Sequence, residues 1–261
     1  MTTVRKPAVA GRFYPDDARV LQSTIKGYLD AAEPGTTAPK AIIVPHAGYV
    51  YSGPVAGSGY AQLELVRKSI RRIVLLGPSH FVSVRGLAAC RADVFDTPLG
   101  SVSIDTEALA CVLALPQVEI LEAAHAREHS LEVHLPFLQE ILDDFQVLPL
   151  LVGNPTLDEV GEIIELLWNG PETLFVISSD LSHFHDYETA TRLDRETSRL
   201  IGEMRFEELR GDRACGYKPI SGLLRAARSR SLHVRIIDVR NSGDMAGARD
   251  RVVGYGAYVV E

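Results

Sequence analysis

Three apolar, largely β-branched runs break into small or turn residues and then deliver a histidine: AIIVPHAGY (41–49), RIVLLGPSHF (72–81) and LFVISSDLSHF (174–184). Runs that are apolar without alternation predict strands buried on both faces of a parallel sheet. FQVLPLLVG (145–153) reads as a further buried strand. Between these runs the apolar positions shift to three- and four-residue steps. Residues 17–32 predict a helix capped by Asp16 or Asp17, and 105–114, 157–168 and 186–204 predict three more. A stretch with Gly48, Gly53, Gly57 and Gly59 leads into a helix around 55–66. Leu131, Leu135, Leu138 and Leu142 place a helix from Ser130 onward, with Pro136 as an internal irregularity and Glu128, His129 and Glu132 at its N-terminal turn. Residues 86–105 suggest a hairpin about a Pro-Leu-Gly turn, a helix starts near Ile220, and 232–243 and 251–261 read as two closing strands. The strand-helix alternation predicts an α/β fold with a central, mostly parallel sheet flanked by helices. With no linker or low-complexity tract, residues 1–261 are expected to form a single domain.

In an open parallel sheet, ligands bind outside the carboxyl ends of the strands, so His46, His80 and His183 at strand ends could converge on a metal or acid-base centre. Asp180, three residues before His183, could orient an imidazole, bind a metal or cap the next turn. His129 reads either as an acid-base group or as a helix-terminal residue hydrogen-bonded to Glu132. Cys215 lies in a loop ahead of a helix, whose N-terminus favours a thiolate, whereas Cys90 and Cys111 sit in apolar stretches and read as core. A Cys-His hydrolase built on Cys215 and Asp180 has the right residue types but leaves the other strand-end histidines without a role. Two imidazoles, a thiolate and an open position also suit catalytic zinc. A phosphate loop is excluded, because neither GxxxxGK[ST] nor GxGxxG occurs.

Composition narrows the setting. With 46% hydrophobic and 23% charged residues, the 261-residue chain has the make-up of an ordinary globular protein. No apolar run approaches the ~20 residues of a membrane span, and no apolar stretch follows the basic residues near the N-terminus, so a cytoplasmic location is expected. Three widely spaced cysteines make no disulfide framework, in keeping with a reducing compartment. A net charge of -7, without basic residues interleaved with aromatics, argues against nucleic acid.

RKPAVAGRFYP, VPHAGYVYSGPVA, LLGPSH, EHSLEVHLPFLQ, SSDLSHFH and CGYKPI follow one another across nearly the whole chain. In that order they resemble the Memo family (mediator of cell motility and its microbial relatives), which is similar in fold to the class III extradiol ring-cleaving dioxygenases. The resemblance implies a metal held by His46, His80 and Cys215, with Asp180, His183 and His129 around the same pocket and His183 in the proton-handling position. Extradiol enzymes hold non-haem Fe(II) with two histidines and a carboxylate, and here Cys215 takes the carboxylate's place. A thiolate is softer and shifts preference toward copper(I) or zinc. The expectation is therefore a mononuclear iron or copper centre, with zinc also compatible, in a metal-dependent oxidoreductase acting on an unidentified small-molecule substrate. Animal members are linked to signalling and motility, which makes a peptide- or protein-binding module using the same pocket the alternative. Extradiol cleavage of a catechol is the third reading.

Overall fold

A computed structural model describes residues 2–245 and 247–261. In chain order the strands are β1 (Val4–Arg5), β2 (Ala41–Val44), β3 (Arg72–Pro78), β4 (Leu87–Ala89), β5 (Val94–Thr97), β6 (Gly100–Ser103), β7 (Val118–Ile120), β8 (Gln146–Val152), β9 (Thr173–Ser178), β10 (His183–His185), β11 (Val234–Asn241) and β12 (Val252–Val260). The helices are α1 (Ala18–Asp30), α2 (Tyr49–Tyr60), α3 (Thr106–Val112), α4 (Glu122–Ala126), α5 (Leu135–Ile141), α6 (Leu157–Leu167), α7 (Tyr187–Gly202) and α8 (Tyr217–Ser229).

The four unbroken apolar runs form the centre of the main sheet, in the spatial order β2-β9-β3-β8, all parallel. Around them the sheet is mixed. β12 joins antiparallel to β2 and carries β11 along its other side, while β4 joins antiparallel to β8 and pairs with β7 beyond it. Alternation of side chains along each central strand divides the core into two layers. Ile42, Val44, Ile73, Leu75, Leu174 and Val176 meet Leu21 and Ile25 of α1, Tyr60 of α2 and Leu138 of α5. Ala41, Ile43, Val74, Leu76, Phe175 and Ile177 meet Ile163 of α6, Leu200 of α7 and Leu223 of α8. Both faces are covered, which is why these strands show no polar alternation.

Several boundaries depart from the sequence reading. α2 begins at Tyr49, inside the glycine run, because α1 packs directly on it: a Cβ at Gly57 would lie 2.7 Å from Tyr28 Cβ and 2.9 Å from the Tyr28 carbonyl oxygen. The expected helix from Ser130 is a 3₁₀ turn, Glu132–His134, followed by α5, and Pro136 occupies the first turn of α5 rather than its interior. Glu128 and His129 therefore lie in the connection before the helix, not in its terminal turn. The 94–103 hairpin forms, but it pairs with β1 in a separate three-stranded sheet. β7 and α4, at three and five residues, are too short to carry a readable period. Cys90 is buried as expected, whereas Cys111 is exposed on α3. His183 does not end β9 but opens β10, a short strand paired antiparallel to β12. Among the described residues no helix is long and apolar enough to cross a membrane.

Candidate metal centre and cavity

Three adjacent parallel strands each deliver a functional side chain two residues past their end: β2 gives His46, β3 gives His80 and β9 gives Asp180. The residue matching the two histidines by position is thus Asp180, with His183 set back on β10. Cys215 comes from the turn before α8. Gly216 allows that turn to approach the end of β9, since a Cβ there would fall 2.5 Å from the Ser178 carbonyl oxygen. The Asp180 N–H then donates to Cys215 Sγ at 3.3 Å, and the Cys215 N–H donates to the Asp180 carbonyl at 3.2 Å.

His46, His80 and Cys215 each place a donor atom within 4.8 Å of the other two, with Cys215 Sγ 3.5 Å from His46 Nε2. Their neighbours set the proton positions. Ser178 Oγ donates its single proton to the Ser130 carbonyl at 2.6 Å, so at 2.6 Å from His46 Nδ1 it must accept from an Nδ1–H. His46 Nε2 is left with a bare lone pair on the cysteine side. His80 Nδ1 lies 2.9 Å from Glu128 Oε1. Burial alone would raise the Glu128 carboxyl, but hydrogen bonds from the His80 ring and from the His80 and Ser130 N–H groups bring it down to about 2. It is an ionised acceptor, so His80 too carries its proton on Nδ1 and offers Nε2. This donor set, two imidazoles and one thiol, fits a transition-metal ion. Glu128 can also form a cluster with His80 and His129, but its oxygens already receive the N–H groups of His80, His129 and Ser130 as well as the His80 ring, which makes it an orienting group.

Burial, then the charges of His80 and His129, hold His46 well below the usual imidazole range, and burial also lowers His129. Cys215 goes against expectation. Burial and the neighbouring Asp180 push its thiol up to about 12, outweighing any gain from the start of α8. A bound cation would reverse that balance, because coordination removes the thiol proton. Asp180 is buried, and burial raises its carboxyl; Oδ1 accepts the His46 N–H at 2.8 Å and Oδ2 lies 3.9 Å from His46 Nε2.

Beside these groups is a cavity of about 440 Å³, lined by Asp180, His129 and His183 with Phe13, Tyr51, Tyr255 and Arg251. All six site residues expected from the sequence thus fall in one neighbourhood, three as clustered donors and three as cavity wall. His129 stacks on His80 with centroids 4.7 Å apart, and the Phe13 ring packs tilted against His129 with centroids also 4.7 Å apart. The suggested hydrogen bond from His129 to Glu132 is absent among the described residues: Glu132 receives Arg5, the Ala8 and Val9 N–H groups and Tyr14 instead, while His129 Nδ1 lies 3.2 Å from Glu128. Ser178, Tyr255 and Arg251 were not singled out from sequence; Ser178 lies in the SSD run, but nothing marks it as the partner of His46.

Residues 5–259 match the family model described as "Memo-like protein". The chain is 36% identical to a MEMO1 family protein of Methanosarcina barkeri, over 99% of this chain and all of that one. It is 35% identical to one of Aquifex aeolicus, over 97% of each chain. It also resembles in fold the crystal structure of the uncharacterized protein JW3007 from Escherichia coli K12, with a TM-score of 0.54, 13% identity, and coverage of 85% of this chain and 99% of that one.

Proposed function

The chain belongs to the Memo family, and on that premise we propose that it is a metal-dependent oxidoreductase, with iron or copper held by His46, His80 and Cys215 beside a cavity for a small molecule. The observation that carries this reading is the pair of imidazoles whose Nδ1 protons are committed to Ser178 and Glu128, leaving two Nε2 lone pairs clustered with the Cys215 thiol. When bound, such an ion supplies one-electron redox chemistry and an open position for substrate. The protein's own groups handle protons. His129, its imidazole pKa lowered, is neutral at neutral pH and can accept a proton at Nε2 while Nδ1 faces Glu128. Asp180 keeps its proton to higher pH than an ordinary carboxyl and borders both the thiol and the cavity. His183, on the cavity wall, is assigned the proton exchange with substrate, with Asp180 or His129 orienting it.

Metal analysis of anaerobically purified protein tests this. Wild type is expected to retain close to one equivalent of iron or copper, and His46→Ala and Cys215→Ser to lose most of it. Wild-type metal content in both variants would refute the ligand assignment. A peptide- or protein-binding role finds support in the exposed rings of Phe81 and Phe184, 53% and 62% exposed, each directly following a site histidine. Stoichiometric peptide binding that a chelator leaves unchanged would favour that role over catalysis.

A further inference from the structure

Arg251 is an exposed side chain that nevertheless lines the cavity, whose base carries the buried Asp180. Among the described residues it has no carboxylate within 4.0 Å. Its guanidinium instead lies over the Phe184 ring, 5.1 Å from the centroid. That ring is held out by an unusual backbone. Phe184 adopts φ of 63°, in the left-handed region that a bulky residue rarely enters. The pairing of β10 with β12 shifts register between His183 and His185, and Phe184 is the residue left over. An aromatic ring thrust into solvent from a strained position adds nothing to the core. It does fix one face of Arg251 while leaving the N–H edge of the guanidinium free, the edge that receives a carboxylate in two parallel hydrogen bonds.

The remaining lining favours a flat apolar body: Phe13, Tyr51, Tyr255 and Val253 form walls around the same space. Among the described residues Arg251 is the one arginine or lysine on the cavity, in a chain of net charge -7. We propose that the small molecule taken by this cavity is an aromatic carboxylate, its carboxylate received by Arg251 at the mouth and its ring lodged between the aromatic walls. This rests on reading the cavity as the substrate site.

The test compares para-fluorobenzoate with para-fluorobenzamide, which differ in charge but little in shape, by fluorine NMR. It uses the full-length protein after chelator treatment, at neutral pH and low salt, so that no metal can bind the carboxylate. Benzoate is expected to bind about tenfold more tightly than the amide. Arg251→Gln should abolish that preference with an unchanged far-UV circular dichroism spectrum, Arg251→Lys should keep part of it, and added salt should shrink it, since the guanidinium is exposed. Equal binding of acid and amide, failure of both to bind, or an unchanged preference in Arg251→Gln would overturn the proposal. Displacement of benzoate by an equal concentration of inorganic phosphate would indicate a bare anion pocket and overturn the aromatic assignment. Metal analysis of the same wild-type preparation before chelation separates the two ideas: a carboxylate preference in wild-type protein that takes up no iron or copper sinks only the redox reading, and a wild-type protein that binds metal but lacks the preference sinks only this one.

Discussion

Ser178 decides which nitrogen of His46 faces the cluster. Its hydroxyl proton goes to the Ser130 carbonyl, so the oxygen can only accept from His46, and the imidazole is held as the Nδ1–H form. Partners of this kind fix ring orientation and raise ligand basicity, and their loss typically costs 10- to 100-fold in metal affinity. Ser178→Ala is expected to weaken metal binding by about that factor in a chelator competition while leaving the fold intact; unchanged affinity would contradict the proton assignment. Neither Ser178 nor Glu128 could be identified as an orienting group from sequence. Each acquires that role through a contact with a histidine 132 or 48 positions away in the chain. Cys215 was legible as a candidate thiolate before a helix, but its place beside His46 and His80 came only from the Memo resemblance, since a single thiol has no spacing that ties it to His46.

At the scale of elements, α7 bears on the site through Asp194. This residue is buried, accepts the Ser182 N–H at 3.0 Å, and so braces the connection between β9 and β10 just ahead of His183. Burial raises its carboxyl from 3.8 to about 6. The folded state therefore favours the protonated form: its contribution to stability is full below pH 3.8 and is lost as pH rises through about 6. Asparagine imitates the neutral acid without that loss. Asp194→Asn should gain about 2 kcal/mol on wild type between pH 4 and pH 7, measured by urea unfolding at both, and a pH-independent difference would show that Asp194 does not titrate in this range. β2, β3, β8 and β9 were readable because strands covered on both faces are unbroken apolar runs. The start of α2 was not, because a glycine run reads as loop until the close approach of Tyr28 shows why glycine is required. His183 was misplaced for a related reason: SSDLSHF looks like one strand end, while its last residues turn away to pair with β12.

Across the whole molecule, the N-terminal arm is tied to the segment that carries His129. Glu132 is fully buried and receives Arg5, Tyr14 and the N–H groups of Ala8 and Val9, while Arg5 also donates to the carbonyls of His125 and Glu128. Phe13 of the same arm packs on His129. Removing one partner of a buried pair leaves the other charge unmatched, so Glu132→Ala should cost about 3–5 kcal/mol in urea unfolding and expose the arm to proteolysis; a loss below about 1 kcal/mol would show the arm is held by other contacts. The architecture as a whole follows from the same logic: parallel strands bring the ends of β2, β9 and β3 to one edge, and the turn before α8 adds the thiol. The central claim is that this edge holds a metal through two imidazoles and one thiolate. X-ray absorption on the metal-loaded protein reads that donor set directly. One sulfur and two imidazole nitrogens are expected in wild type, with the sulfur lost in Cys215→Ser; a shell of nitrogen and oxygen alone, unchanged by that substitution, would contradict it.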